Sequence, residues 1–181
     1  MNSKVTHINV GNLAENCWFL ANEDTKEAVV IDPGAEPDRI CAAAEKHGWK
    51  ITAILLTHGH IDHMGACESL RTELGVKVYA LTEEEDLLLD AKKNLSVFIE
   101  RKVVTFEPDE LLRDGQELTL AGMKIQVIHT PGHTPGGCSY YVADAGCVFS
   151  GDTLFAESVG RSDFPGGSSS CGKRKTLFIA R

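Results

Sequence analysis

Short apolar runs alternate along the chain with stretches whose apolar residues recur at helical spacing. Residues 5–10 and 17–21 read as strands joined across a Gly11-Asn12 turn. Residues 27–31 form an apolar strand that stops at Asp32-Pro33-Gly34, a strong turn signal. Residues 36–47 read as a helix, with Ile40, Ala43, Ala44 and His47 on one side and Gly48 as its stop. Residues 51–56 are continuously apolar, as in a strand covered on both faces. Met64, Cys67, Leu70 and Leu74 then mark one face of a helix ended by Gly75. Residues 76–80 give the next strand. Thr82 is expected to cap an acidic helix beginning Glu83-Glu84-Glu85, with Leu87, Leu88 and Leu89 on its buried side. Residues 91–100 continue as helix or as an irregular lid.

From residue 103 the pattern changes to strands and turns: 103–106, 117–120, 124–129, 138–142 and 147–149. Alternating strand and helix followed by mostly strand predicts an α/β sandwich, sheets inside and helices outside. Residues 1–165 are expected to form that domain. Residues 166–181, rich in Gly and Ser and carrying Lys173-Arg174-Lys175, have little core-forming potential and are expected to be poorly ordered.

Composition narrows the partners. Eighteen Lys and Arg against 26 Asp and Glu give a net charge of −8, which attracts neither nucleic acid nor an anionic membrane. An anionic small substrate stays open, because a metal ion can dominate the field of a site. The six cysteines form no C-x-x-C pair, which argues against a zinc ribbon or a thioredoxin-like motif. The polar start, Met1-Asn2-Ser3-Lys4-Val5-Thr6-His7, does not look like a signal peptide, and no 18-residue apolar stretch occurs. A cytoplasmic protein with mostly buried, reduced cysteines is expected. Nothing in the sequence sets the oligomeric state.

The chemistry concentrates where strand 51–56 ends, in Thr57-His58-Gly59-His60-Ile61-Asp62-His63. Residues two apart in an extended segment point the same way, so His58 and His60 can grip one ion. A turn after His60 would aim Asp62 and His63 at a second position. A polar loop with surface histidines is the competing reading, but several ionisable groups packed at a strand end are costly without a shared ligand. His133 lies in the rigid Thr130-Pro131-Gly132-His133-Thr134-Pro135-Gly136 loop and is the natural third imidazole; three protein ligands plus a water equip a catalytic zinc. Asp152, in Ser150-Gly151-Asp152-Thr153, is either a turn aspartate or a carboxylate between two ions. Asp32 is either a turn former or a group that orients a ligand. His7, His47 and His129 read as structural or surface residues.

Together with Asn16-Cys17-Trp18, Ile31-Asp32-Pro33-Gly34 and Gly160-Arg161, these motifs resemble the metallo-β-lactamase superfamily, most closely its glyoxalase II-like (hydroxyacylglutathione hydrolase-like) bacterial branch. The resemblance covers about residues 5–165. It implies an αββα sandwich with two divalent metal ions, zinc first and iron or manganese next, at one edge of the sheets. It assigns His58, His60 and His133 to the first ion, Asp62 and His63 to the second, and Asp152 between them. The family adds one more histidine from a later loop, whereas here no histidine follows His133; the chain is therefore expected to be truncated and its fold incomplete at the C-terminal end.

The expected activity is hydrolysis of a small ester or thioester by a metal-bound hydroxide, with Asp62 both ligating and orienting the nucleophile. A second expectation is a persulfide dioxygenase-like enzyme with one iron on His58, His133 and Asp152. A third is a truncated metal-binding remnant with little activity.

Overall fold

The computed structural model describes residues 2–164 and 166–168. Six strands form one sheet in sequence order: β1 (Ser3–Val10), β2 (Glu15–Asn22), β3 (Glu27–Ile31), β4 (Lys50–Leu55), β5 (Lys77–Leu81) and β6 (Glu110–Leu112). The first three pair antiparallel, whereas β3 to β6 run parallel. A second, antiparallel sheet follows, β7 (Glu117–Leu120), β8 (Met123–His129), β9 (Cys138–Val142) and β10 (Cys147–Phe149), in spatial order β10-β9-β8-β7.

The burial pattern explains how the sheets stack. Along β8, Met123, Ile125 and Val127 are buried while Lys124 and Gln126 are exposed, the alternation of a strand with one wet face. Those buried residues meet Leu20, Val29, Ile31, Ala53 and Leu55 from the larger sheet, making one apolar layer between the two sheets. The alternate residues, Ala28, Val30, Ile51 and Ile54, face a second core. That core is closed by Ile40 and Ala44 of α1 (Pro37–Lys46) and by Cys67 and Leu70 of α3 (Cys67–Leu74). The apolar run of β4, interrupted only by the half-buried Thr52, whose hydroxyl donates to the Ala28 carbonyl, thus reflects burial on both faces. Helix α1 starts at a proline, whose fixed φ suits a first turn. The layering is α-β-β among the described residues, with the short helices α2 (Ile61–Met64), α4 (Glu85–Leu88) and α5 (Ser96–Ile99) between the parallel strands in sequence.

Four local expectations change. Residues 103–106 are not a strand: Asn94 Nδ2 donates to the Val104 carbonyl (2.8 Å) and Ser96 Oγ accepts from Val104 N (3.1 Å), so side chains occupy the groups a ladder would need. Strand β6 lies beyond Pro108 instead, where the backbone can pair with β5. Thr82 caps nothing; its hydroxyl donates to the Leu112 carbonyl (2.8 Å), and residues 82–84 form a 3-10 turn before α4. Leu89 is exposed, while Leu87 and Leu88 are buried. In 91–100 only α5 is helical. Of the Gly/Ser-rich and basic segment, residues 169–181 lie outside the described residues.

No described helix is long and apolar enough to cross a membrane. Cys17, Cys41, Cys67, Cys138 and Cys147 are all free thiols, and burial pushes those of Cys17 and Cys67 well above their ordinary range.

Candidate metal centre

Strand β4 ends at Leu55, and the chain then passes through Thr57, His58 and Gly59 to His60, which precedes the first turn of α2 in an extended conformation. The short helix turns Asp62 and His63 back toward His58; the His58 and His63 ring centroids lie 4.0 Å apart. The loop between β8 and β9 delivers His133, whose Nε2 stands 2.9 Å from His60 Nδ1. A 3-10 turn after β10 (Gly151–Thr153) delivers Asp152. Its two oxygens face different imidazoles: Oδ1 lies 3.4 Å from His63 Nε2 and Oδ2 lies 3.4 Å from His133 Nε2.

Three overlapping groups therefore converge: His58, His60 and His133; His58, His63 and Asp152; and Glu15, Asp62 and His63. Within each, the donor atoms lie no more than 4.8 Å apart, close enough to share an ion. The donors are also poorly satisfied. His58 Nε2, His60 Nε2 and both nitrogens of His63 are buried without a hydrogen-bond partner. Burying that many orphaned nitrogens costs free energy that a cation would recover. The imidazole and carboxylate set fits divalent zinc, iron or manganese.

Neighbouring groups fix which nitrogen of each ring carries a lone pair. Thr57 Oγ1 donates to Asp32 Oδ2 (2.6 Å), so its hydrogen is engaged. His58 Nδ1, 3.2 Å from the same hydroxyl oxygen, must then be the donor, which frees Nε2 to ligate. His133 Nδ1 donates to the Arg161 carbonyl (2.7 Å), freeing its Nε2 in the same way. Asp32 Oδ2 also approaches His63 Nδ1 at 3.1 Å. Asp32, with φ of 54°, thus both forms the turn and holds Thr57 and His63 in place. His7 packs on Trp18, His47 stacks on Trp49, and His129 Nε2 donates to the Pro135 carbonyl; none of these joins the cluster.

The electrostatics are uneven. Burial, helped by the neighbouring imidazoles, pushes His58 well below its ordinary value and His60 down to about 3. Burial also opposes charge on His63, yet Asp32, Asp152 and Glu15 outweigh it and hold its proton well above the usual range. Asp152 is lowered despite burial, because it faces His63 and His133. Glu15 is raised to about 6 by burial.

Two residues near the centre carry no sequence signal. Glu15 begins β2 and is legible only as a strand-flanking polar residue. Glu84 lies within a run of three glutamates, yet it alone is buried, at 1% exposure. Its Oε1 accepts from Gly59 N (2.8 Å) and its Oε2 from Gly136 N (2.7 Å), so one carboxylate ties the His58–His60 loop to the His133 loop. Gly136 permits this approach, since a Cβ there would meet Glu84 N at 2.2 Å. Burial raises the Glu84 carboxyl from 4.5 to about 7, outweighing the two backbone donors. Between those values the folded protein keeps a proton that the unfolded chain releases, so stability is lost as pH rises through that window. Metal-free protein should therefore lose about 2 kcal/mol between pH ~5 and pH ~7.5 that Glu84→Gln does not lose. Urea unfolding across this range checks it; parallel curves would exonerate Glu84.

Beside Glu15 and Asp152 opens a cavity of about 290 Å³, walled by Trp18, Phe149 and Phe155.

Comparison with known proteins places this arrangement. Residues 10–177 match the family model described as the metallo-beta-lactamase superfamily. The probable metallo-hydrolase YqgX of Bacillus subtilis is 39% identical over 160 residues, covering 88% of this chain and 75% of that one. The hydroxyacylglutathione hydrolase GloC of Haemophilus influenzae is 35% identical over 155 residues, 84% of this chain and 73% of that one. Among solved structures, the B3 metallo-beta-lactamase BLEG-1 superposes with a TM-score of 0.90 at 36% identity, covering 97% of this chain and 87% of that one. The di-iron-bound form of TTHA1623 gives a TM-score of 0.84 at 33% identity, covering 96% of this chain and 85% of that one. With its two stacked sheets, its converging histidines and this match over most of its length, the chain belongs to the metallo-beta-lactamase superfamily of metal-dependent hydrolases.

Proposed function

We propose that this chain hydrolyses a small ester or thioester, with a hydroxyacylglutathione-type thioester as the first substrate to test. In this reading His58, His60 and His133 would hold one divalent ion, Asp62 and His63 would hold a second, and Asp152 would be shared between the two. The observation that carries it is the convergence of His58, His60 and His133 with buried ring nitrogens left unpaired. Zinc is the first choice for both positions, with iron or manganese as substitutes. Bound ions of this kind supply Lewis acidity and lower the pKa of a coordinated water to about 7.

The protein's own residues do the rest. Thr57 and Arg161 fix the ring tautomers of His58 and His133, so these two rings present a lone pair to an ion, whereas His63 would give up its proton on ligation. Asp62, partly exposed at the start of α2, would orient the attacking water as well as ligate. Phe164 lies edge-on to the His60 and His133 rings, at 5.2 and 5.7 Å. The cavity beside Asp152 gives a substrate room to approach. No serine or cysteine nucleophile is required, and the buried thiols of Cys17 and Cys67 are held protonated.

The test is hydrolysis of a hydroxyacylglutathione thioester and of a simple aryl ester by the zinc-loaded, iron-loaded and chelated chain. Chelation should reduce the rate at least ~100-fold and metal addition should restore it. A rate that survives complete metal removal, or no turnover of either substrate with metal bound, would overturn the proposal.

A further inference from the structure

We infer that Glu15 is a protein ligand of the second ion, completing the position shared by Asp62, His63 and Asp152. The inference rests on the two-ion reading above. It begins with His63 Nε2, a fully buried nitrogen with no hydrogen-bond partner. Three carboxylate oxygens surround it: Glu15 Oε2 at 3.4 Å, Asp152 Oδ1 at 3.4 Å and Asp62 Oδ2 at 3.9 Å. Bonds of about 2.05 Å to a tetrahedral zinc place neighbouring donor atoms about 3.4 Å apart. Two of the three separations have that value. Glu15, Asp62 and His63 also keep their donor atoms within 4.8 Å of one another, so the three can close on one ion.

Charge points the same way. Glu15, Asp62, Asp152 and Asp32 all crowd one imidazole. Four carboxyl groups therefore share one buried imidazole. Gathering like charges there is unfavourable unless a multivalent cation shares them. Asp32 is committed to Thr57, through its backbone N–H at 2.7 Å and its hydroxyl at 2.6 Å, so it is not available as a ligand. Glu15 is held less firmly: it meets His63 and the backbone of its neighbour Asn16, and no second side chain claims both of its oxygens among the described contacts.

The backbone makes Glu15 a placed ligand rather than a passing side chain. It is the first residue of β2 and pairs with Val10 of β1, while the following Trp18 pairs with Ile31 of β3. Ile31 leads directly into Asp32, so β3 sets both Asp32 and, across the ladder, the strand that carries Glu15. A hard carboxylate oxygen suits zinc, iron and manganese alike.

The experiment is a metal titration of the metal-free 181-residue chain with zinc, read by calorimetry and by metal analysis per chain, for the wild type, Glu15→Gln and Glu15→Asp. Wild type should bind two ions. Glu15→Gln, which keeps the shape but removes the charge, should weaken one site about 100-fold or more and leave the other unchanged. Glu15→Asp, which keeps the carboxylate, should weaken the same site less. The thermal midpoint of the metal-free chain reports folding independently and should not fall in Glu15→Gln. Two ions with unchanged affinities in Glu15→Gln, or an equal fall at both sites, would overturn the role of Glu15 while leaving the two-ion reading intact. Binding of a single ion by the wild type would overturn both.

Discussion

Replacing Gly34 by alanine is expected to cost more than about 3 kcal/mol and to displace Asp62 and His63, the proposed ligands of the second ion. A Cβ at residue 34 would stand 1.5 Å from the Asp62 carbonyl oxygen and 2.5 Å from its carbon. No rotamer change relieves a collision with backbone. The obstruction extends to the neighbouring segment: the Pro33 carbonyl accepts from Ala66 N at 2.9 Å, and a Cβ on Gly65 would meet the Gly34 carbonyl at 2.3 Å. Two backbone segments therefore pack directly on each other, and α2, with Asp62 and His63, is set by that contact. Urea unfolding together with metal analysis checks the prediction. A wild-type midpoint and full metal content in Gly34→Ala would show that the segment can yield without cost.

Asp32→Ala is expected to be nearly as damaging, through polarity rather than volume. Asp32 is 2% exposed and accepts from both the backbone N–H and the hydroxyl of Thr57. Truncation leaves two buried donors unpaired, each costing about 1–3 kcal/mol. Alanine at φ of 54° adds about 1 kcal/mol of backbone strain, which asparagine largely avoids. The Thr57 hydroxyl is then no longer held as an acceptor for His58 Nδ1, and His63 loses its 3.1 Å neighbour. Metal affinity should fall about 10- to 100-fold in addition to the loss of stability. Asp32→Asn should rank between alanine and wild type on both readouts. Wild-type metal affinity in Asp32→Ala would mean that the Thr57 relay does not orient the histidines.

These two residues also mark how far the sequence could be read. The His58 to His63 cluster, His133 and Asp152 are legible because each follows an apolar strand and carries a donor side chain. Their convergence follows from β4, β8 and β10 ending at the same edge. Asp32 is ambiguous between turn and ligand-orienting roles because a turn aspartate and an orienting aspartate look the same in one dimension. Glu84 is invisible for a related reason. Glu83, Glu84 and Glu85 are chemically identical, and only the 3-10 turn decides that Glu84 alone faces inward. Residues 103–106 carry the β-branched and aromatic side chains of a strand, but Asn94 and Ser96 satisfy the Val104 backbone, a tertiary effect that no local pattern encodes. The covered parallel strands are easier, since a short run that is apolar at every position can be kept from water only by layers on both of its faces.

The scaffold of the histidine loop comes from far along the chain. Cys138 N, at the start of β9, donates to the Thr57 carbonyl at 2.8 Å, and Tyr140 Oη donates to the Leu56 carbonyl at 2.6 Å. The carbonyls leading into His58 are therefore capped by residues about eighty positions later. During synthesis, which proceeds at about 5–20 residues per second, His58, His60, Asp62 and His63 leave the ribosome several seconds before these caps do. In that interval the nascent chain carries these four donor side chains on an unfinished sheet. On the proposed ligand set, an ion that arrives before β9 docks meets only part of its ligands, and one that arrives afterwards meets the assembled centre.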